Sequence, residues 1–329
     1  MDSKSSLATV NRRLRLAVAV ALVWAAAGMS QGTTAQAGKD GRPFCVVQTG
    51  AVGTDNCDAE SVRRLAESGQ VYEENEMGMS TALVVESPTG GEQARKWFEK
   101  AARKGYAAAQ VNLAAMYVYG WGVQKNYGTA LYWLKEATGH GYGRAYTNLG
   151  ILYLNGWGVR QDYGEARSLF QNGAKAGDAP AMVDLGFLFD QGLGVTQDHT
   201  AAADWYRQAA EKGLAMGQYN LADLFLKGEG VVQSDPAAFE LFRRAAAQGN
   251  TSAEIKLGWM YMTGRGTEKN LGEAYKWIEA AWLAGDRRGE EYLREIEKRL
   301  KPEQVAKAIE RARSAQSDTD KTVQTVYSR

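Results

Sequence analysis

"YLNGWGVRQDYGEA", residues 153–166, places two glycines one residue apart, Gly156 and Gly158, directly ahead of a helix-like run. A glycine-rich loop that opens a helix can cradle a pyrophosphate, because bare backbone N–H groups point at the anion. The same pattern can also end one helix and begin the next. No third glycine follows at 161, no strand pattern precedes the loop, and no GxxxxGK followed by Ser or Thr occurs in the chain. The pair also recurs, at Gly120/Gly122, Gly192/Gly194, Gly228/Gly230 and Gly264/Gly266, always in steps of 36 residues. It is a turn within a repeat.

Other residues keep the same period. A third glycine recurs at Gly105, Gly141, Gly177, Gly213, Gly249 and Gly285, and leucine recurs at Leu113, Leu149, Leu185, Leu221 and Leu257. Alanine does so from Ala94 and Ala130 to Ala274. Five full units therefore run from about 106 to 285 without insertion or deletion. Each unit reads as two helices. The first carries Leu, then Ala or Gly, then an aromatic (Tyr117, Tyr153, Phe189, Phe225, Tyr261), and stops at Gly-x-Gly, whose first glycine suits the left-handed position after a helix. The second opens after a capping residue, Asn126, Asp162, Asp198, Ser234 or Asn270, able to accept from the unpaired N–H groups of the first turn. Its Ala130-, Trp133- and Leu134-type positions share one face at i, i+3, i+4.

"AYTNLGILYLNGWGVRQDYGEARSLFQNGAKAG" resembles a Sel1-like repeat, over about 92 to 285. The resemblance implies an all-α fold, an α/α solenoid (superhelix) of helix-turn-helix repeats related to tetratricopeptide arrays. It further implies modules that hold other proteins, often in the bacterial envelope, as regulators, assembly factors or ligands for host proteins.

Upstream, "EQARKWFEKAARKG", 92–105, is a good second helix, with Trp97 in register with Trp133. Its partner is expected over 59–74, twelve residues too far upstream, which makes 59–105 a degenerate first repeat with an extended loop over 75–91. That loop is either a functional insertion or a permissive one. Downstream, 286–314 reads as capping helices: Leu293 stays in register, Pro302 breaks the chain, and Val305, Ile309 and Ala312 share one side of a last helix. Residues 315–329 are polar and aperiodic, a disordered tail by composition.

Residues 1–37 have the layout of a secretory signal peptide. Lys4, Arg12, Arg13 and Arg15 precede an apolar run over 16–28, and Ala35 and Ala37 form an A-x-A cleavage site. The run of 13 residues is short of the ~20 a bilayer span needs, so no stable membrane anchor is expected after cleavage. An uncleaved anchor is the alternative. The expected location is periplasmic or secreted. Cys45 and Cys57, in the segment 38–58, are the only cysteines, and export makes one disulfide their simplest state. Such a bond would stabilise by roughly 3 kcal/mol.

Without residues 1–37 the chain keeps 35 basic and 37 acidic residues, a net charge of −2, which disfavours nucleic acid as a partner. No HExxH, GxSxG, SxxK or CxxC occurs, so no enzyme activity, cofactor or metal is expected. Some Sel1-like proteins linked to β-lactam binding are cysteine-rich within each repeat, whereas these repeats contain no cysteine. The expected function is an exported, non-catalytic scaffold for a protein or peptide. The alternatives are a cell-wall or β-lactam-directed hydrolase without recognised motif, and a structural self-assembling module.

In stacked helix pairs the first helices usually line the inner surface. Three rows on them are candidates for contact with a partner. One is Asn112, Asn148, Asp184, Asn220 and Lys256; three residues on stand Ala115, Ile151, Phe187, Asp223 and Trp259. The third is Tyr119, Asn155, Gln191, Lys227 and Thr263. Amides suit an extended peptide backbone, which both donates and accepts. The Asn row equally suits bonds to neighbouring backbone within the repeats. Phe187 and Trp259 are the preferred contacts, and Trp121 and Trp157 are expected to be partly buried against the next turn.

Overall fold

The computed structural model of the chain describes residues 71–83 and 90–312, and all regular structure there is helical. The segment 1–37 expected to be a signal peptide, Cys45 and Cys57 with their expected disulfide, most of 59–74 and the tail from 315 lie outside the described residues. Helices α1 (Val71–Leu83), α2 (Gly90–Arg103), α3 (Ala107–Tyr119), α4 (Tyr127–Gly139), α5 (Gly143–Asn155) and α6 (Tyr163–Lys175) form three successive pairs. Three more follow: α7 (Ala179–Gln191) with α8 (His199–Glu211), α9 (Ala215–Lys227) with α10 (Asp235–Ala246), and α11 (Thr251–Thr263) with α12 (Leu271–Leu283). A 3₁₀ turn, Arg287–Gly289, leads to α13 (Glu290–Glu297), and a last helix, α14, begins at 302 and continues to 312. The chain divides into two compact units, one through Ala181 and one from Met182 on, with the division inside α7. Consecutive helices pack on one another from α1 to α6 in the first unit and from α8 to α13 in the second.

The caps form where the residue types predict them. Asn126, Asp162 and Asn270 each accept from the backbone N–H three residues on, at 2.9 to 3.0 Å, and Asp198 and Ser234 do the same for α8 and α10. Each such cap is worth about 1 kcal/mol. Gly120, Gly156, Gly228 and Gly264 adopt left-handed φ of 68 to 79° and donate to the carbonyl four residues back. Each turn is then closed by one more bond. The N–H of the capping residue donates to the carbonyl of the repeat's aromatic, as in Asp162 to Tyr153 at 3.0 Å and Asn270 to Tyr261 at 2.9 Å.

The second glycine of the turn has a different task. At Gly158 a Cβ would meet Tyr127 Cβ at 2.6 Å; at Gly266 it would meet the Asp235 carbonyl oxygen at 2.3 Å. Tyr127 and Asp235 are the first residues of α4 and α10, each the second helix of the preceding pair. The turn of one pair is thus pressed backbone to backbone onto the pair before it, which leaves no room for a side chain.

Within a pair, the first helix offers a small residue to a large one on the second. A Cβ at Gly150 would meet the Phe170 ring at 2.5 Å, one at Gly186 the Tyr206 ring at 2.5 Å, and one at Gly258 the Ile278 side chain at 2.4 Å. Where this position is Ala, as at Ala114 and Ala222, the side chain is fully buried beside Leu134 or Phe242. The register leucines, from Leu113 at 1% to Leu257 at 0% exposure, fill the rest of the core.

That pairing corrects the N-terminal expectation. Residues 71–83 form helix rather than an extended loop, and α1 stands one 36-residue period before α3. Met77-Gly78 occupies the place of Leu-Ala or Leu-Gly, and a Cβ on Gly78 would meet the Phe98 ring of α2 at 2.5 Å. Glu74, fully buried, pairs with Lys100 at 2.9 Å and Lys104 at 2.8 Å. The Gly-x-Gly stop is missing here, since the corresponding positions are Val84 and Glu86. Without that stop the helix has no legible end in the sequence.

At the other end Leu293 and Ile296 of α13 and Ala308 and Ala312 of α14 are buried, with Val305 and Ile309 partly so, over α12 residues Ala274, Tyr275 and Ile278.

Candidate partner-binding site

The candidate rows lie on α3, α5, α7, α9 and α11. In the first unit Asn112 departs from the surface reading. It is 7% exposed, and its Nδ2 donates to Asn75 Oδ1 of α1 at 3.0 Å and lies 3.4 Å from Met79 Sδ. An amide enclosed by the preceding pair serves packing, and the bonded group is a side chain rather than backbone. Asn148 and Ile151 of α5 are half-buried, and Tyr119, the last residue of α3, is 50% exposed. The turn tryptophans are also half-buried, with Trp157 stacked on Tyr127 at 5.8 Å between centroids.

In the second unit the rows hold Asp184 and Phe187 on α7, Asn220 and Asp223 on α9, and Trp259 on α11. Met182, Leu185 and Leu188 point into the core, whereas Phe187 is 40% exposed. The helical period puts it on the opposite face. Beneath that stretch of α7 lies the Tyr206 ring, against Gly186. Burial, and then the charges of Asp190, Asp184 and Asp223, push the Tyr206 hydroxyl well above its ordinary range. Three carboxylates therefore act on one point behind the Phe187 segment.

Asp223 Oδ2 lies 2.7 Å from Lys227 Nζ and its Oδ1 lies 3.4 Å from Lys256 Nζ. The bond to Asp223 raises the Lys227 ammonium above its usual range. Asp190 Oδ1 is 2.8 Å from His199 Nδ1, across the turn between α7 and α8. Asp190 was missed by the sequence reading, although a signal exists: the other units place Val118, Leu154, Leu226 and Met262 at its register. A charge at an apolar position of a repeat marks a departure from packing. Trp259 is half-buried, with the Arg265 guanidinium 5.4 Å from its ring centroid. Arg265 is in turn anchored on Asp235 through two bonds, at 2.6 and 2.8 Å. The Trp259 ring is held, not loose.

A cleft of about 570 Å³ in the first unit is lined by Glu92, Arg95, Tyr117, Gln124 and Lys125, among others, and none of the row residues borders it. Among the described residues no group of three His, Cys, Asp or Glu side chains gathers as metal ligands do, and no helix is long and apolar enough to cross a membrane. The arrangement on α7, α9 and α11 offers two aromatic surfaces separated by paired charges and an amide.

Comparison with known proteins agrees with the repeat. The Sel1 repeat pattern matches at 90–106, 107–142, 143–178, 179–214, 215–250 and 251–286. Among solved structures, a Sel1 repeat protein from Oxalobacter formigenes is 29% identical, with a TM-score of 0.60, over 69% of this chain and 100% of that one. A protective antigen of uropathogenic Escherichia coli is 24% identical, with a TM-score of 0.41, over 82% of this chain and 73% of that one. An immunity protein of Pseudomonas aeruginosa is 19% identical, with a TM-score of 0.43, over 74% and 83%. No curated protein gives a significant match.

Proposed function

The chain belongs to the Sel1 repeat family, and on that premise we propose that it is an exported, non-catalytic scaffold holding a protein or peptide on the first-helix face of its second unit. Sel1 repeat solenoids commonly serve protein interaction. The observation that carries the site is Phe187: a large aromatic, 40% exposed, on a helix whose Leu185 and Leu188 are wholly buried. Its register varies from unit to unit, through Ala115, Ile151, Asp223 and Trp259, which suits recognition better than packing. An extended segment would lay apolar side chains on Phe187 and Trp259, and its backbone could bond the Asn220 amide between them. Export rests on the basic, apolar and small-residue order of 1–37.

The Phe187→Ala/Trp259→Ala pair is expected to abolish retention of the partner from envelope extract by residues 38–329, while the helical circular-dichroism signal stays unchanged. Equal retention by both versions would sink the placement of the site. Retention of a second copy of the same chain would support the self-assembling alternative. Hydrolysis of a wall fragment or β-lactam by the purified protein, lost on substitution of one carboxylate, would overturn the non-catalytic reading.

A further inference from the structure

In α3 and α5 the fourth residue of the first helix bonds the C-terminal end of the helix before it. Gln110, Tyr146, Gln218 and Glu254 occupy this register in α3, α5, α9 and α11, and Gln218 differs in accepting from Gln248 Nε2 at 2.8 Å. Gln110 Nε2 donates to the Ala102 carbonyl at 3.1 Å, and Tyr146 Oη donates to the Thr138 carbonyl at 2.9 Å. Both carbonyls lie eight residues upstream, and each already accepts one backbone N–H, from Gly105 and Gly141, at 3.0 Å. The corresponding carbonyl before α11 is Ala246, which accepts the Gly249 N–H at 2.9 Å. Its second lone pair is where the register's side-chain donor belongs. The residue at that register is Glu254, 7% exposed, whose buried Oε2 has no hydrogen-bond partner.

A carboxylate only accepts, whereas a protonated carboxyl also donates. We propose that Glu254 is a proton-dependent clasp between α10 and α11: protonated, it donates to the Ala246 carbonyl and closes the joint; ionised, it leaves a buried charge there and loosens it. The charged groups on the elements packed around it do not offer a compensating cation. Arg243 of α10 pairs with Glu240 and Arg244 is exposed; on α12, Lys276 pairs with Glu273 and Glu279 is itself acidic. In the turn that follows, Arg287 lies 3.9 Å from the Trp282 ring centroid, and Arg288 is bonded to Asp286 and to Ser252. Asp286 also accepts from Thr251 Oγ1 at 3.2 Å, and its negative charge opposes ionisation of Glu254.

Burial first, and Asp286 second, push the Glu254 carboxyl up to about 7. The folded chain therefore keeps a proton that the unfolded chain releases near its ordinary value of 4.5. The stabilisation is complete below that value, declines as pH rises, and is lost once pH passes about 7. The opening equilibrium of the joint then changes by roughly a hundredfold or more across this window. The inference does not depend on what the chain binds.

Two measurements on the full chain test it. Carbon-NMR titration of the Glu254 carboxyl should give a midpoint well above that of the exposed glutamates; a midpoint among theirs would overturn the clasp. Amide hydrogen exchange in α11, corrected for intrinsic rates, should show opening that grows roughly thirtyfold between about pH 5.5 and about pH 8.5. Glu254→Gln, which carries the donor that Gln110 uses at the same register, should flatten that dependence and protect α11 at the higher pH. An unchanged slope in Glu254→Gln would also overturn the clasp.

Discussion

Gly230→Ala should destabilise the second unit by about 4 kcal/mol, against about 1 kcal/mol for Gly249→Ala. Both glycines are left-handed, with φ of 66 and 77°, so both substitutions incur the penalty of an L residue in that region. Only one meets anything. A Cβ at Gly230 would lie 2.2 Å from the carbonyl carbon and oxygen of His199 and 2.5 Å from the Thr200 nitrogen, whereas at Gly249 nothing lies within 4 Å. Because the obstacle is the backbone of α8, no rotamer change relieves it; the turn must lift off the preceding pair. The difference between the two denaturation midpoints isolates this turn-to-pair contact from the conformational penalty. Similar midpoints for the two variants would show that the contact contributes nothing.

Phe170→Ala should lower the stability of the first unit by about 4 kcal/mol, because a fully buried ring leaves a cavity that fixed helices cannot close. The more discriminating result concerns its partner, Gly150. In the native background Gly150→Ala should destabilise, since the new methyl would stand 2.5 Å from the ring. In a Phe170→Leu background the same substitution should stabilise. The pair it creates, Ala opposite Leu, is the one the chain already uses at Ala114 and Leu134, both buried to within 1%. There the methyl fills space vacated by the ring, and alanine favours helix over glycine by about 1 kcal/mol. A Gly150→Ala effect of equal size in both backgrounds would show that the two positions are not coupled. Urea denaturation of the four variants measures it.

These two contacts mark the limit of what periodicity can tell. The recurrence of Gly-x-Gly was plain, but the sequence alone assigns both glycines to one turn. That the second faces the backbone of a helix some 30 residues upstream, as Gly230 faces His199, is a matter of tertiary approach. Helix α1 shows the converse. Its register residues, Met77 and Gly78, stand one period before Leu113 and Ala114, yet no Gly-x-Gly follows them to mark the end of a helix. The site divides in the same way. Asn112 and Asn220 share one register, but Asn112 is enclosed by Asn75 and Met79 of α1 while Asn220 is half-buried.

By itself, then, the sequence determined the helical class, the 36-residue repeat, the five capping residues and the Leu, Ala and aromatic positions of the core. Each is a local property: helical periodicity, a left-handed glycine and a side-chain acceptor act within a few residues of one another. Only the tertiary structure decided which polar row positions are buried, which glycine tolerates no side chain, and which carboxyl is left without a donor or a cation. Those outcomes depend on groups one repeat away, and a repeating sequence presents the same residues whether or not a neighbour encloses them.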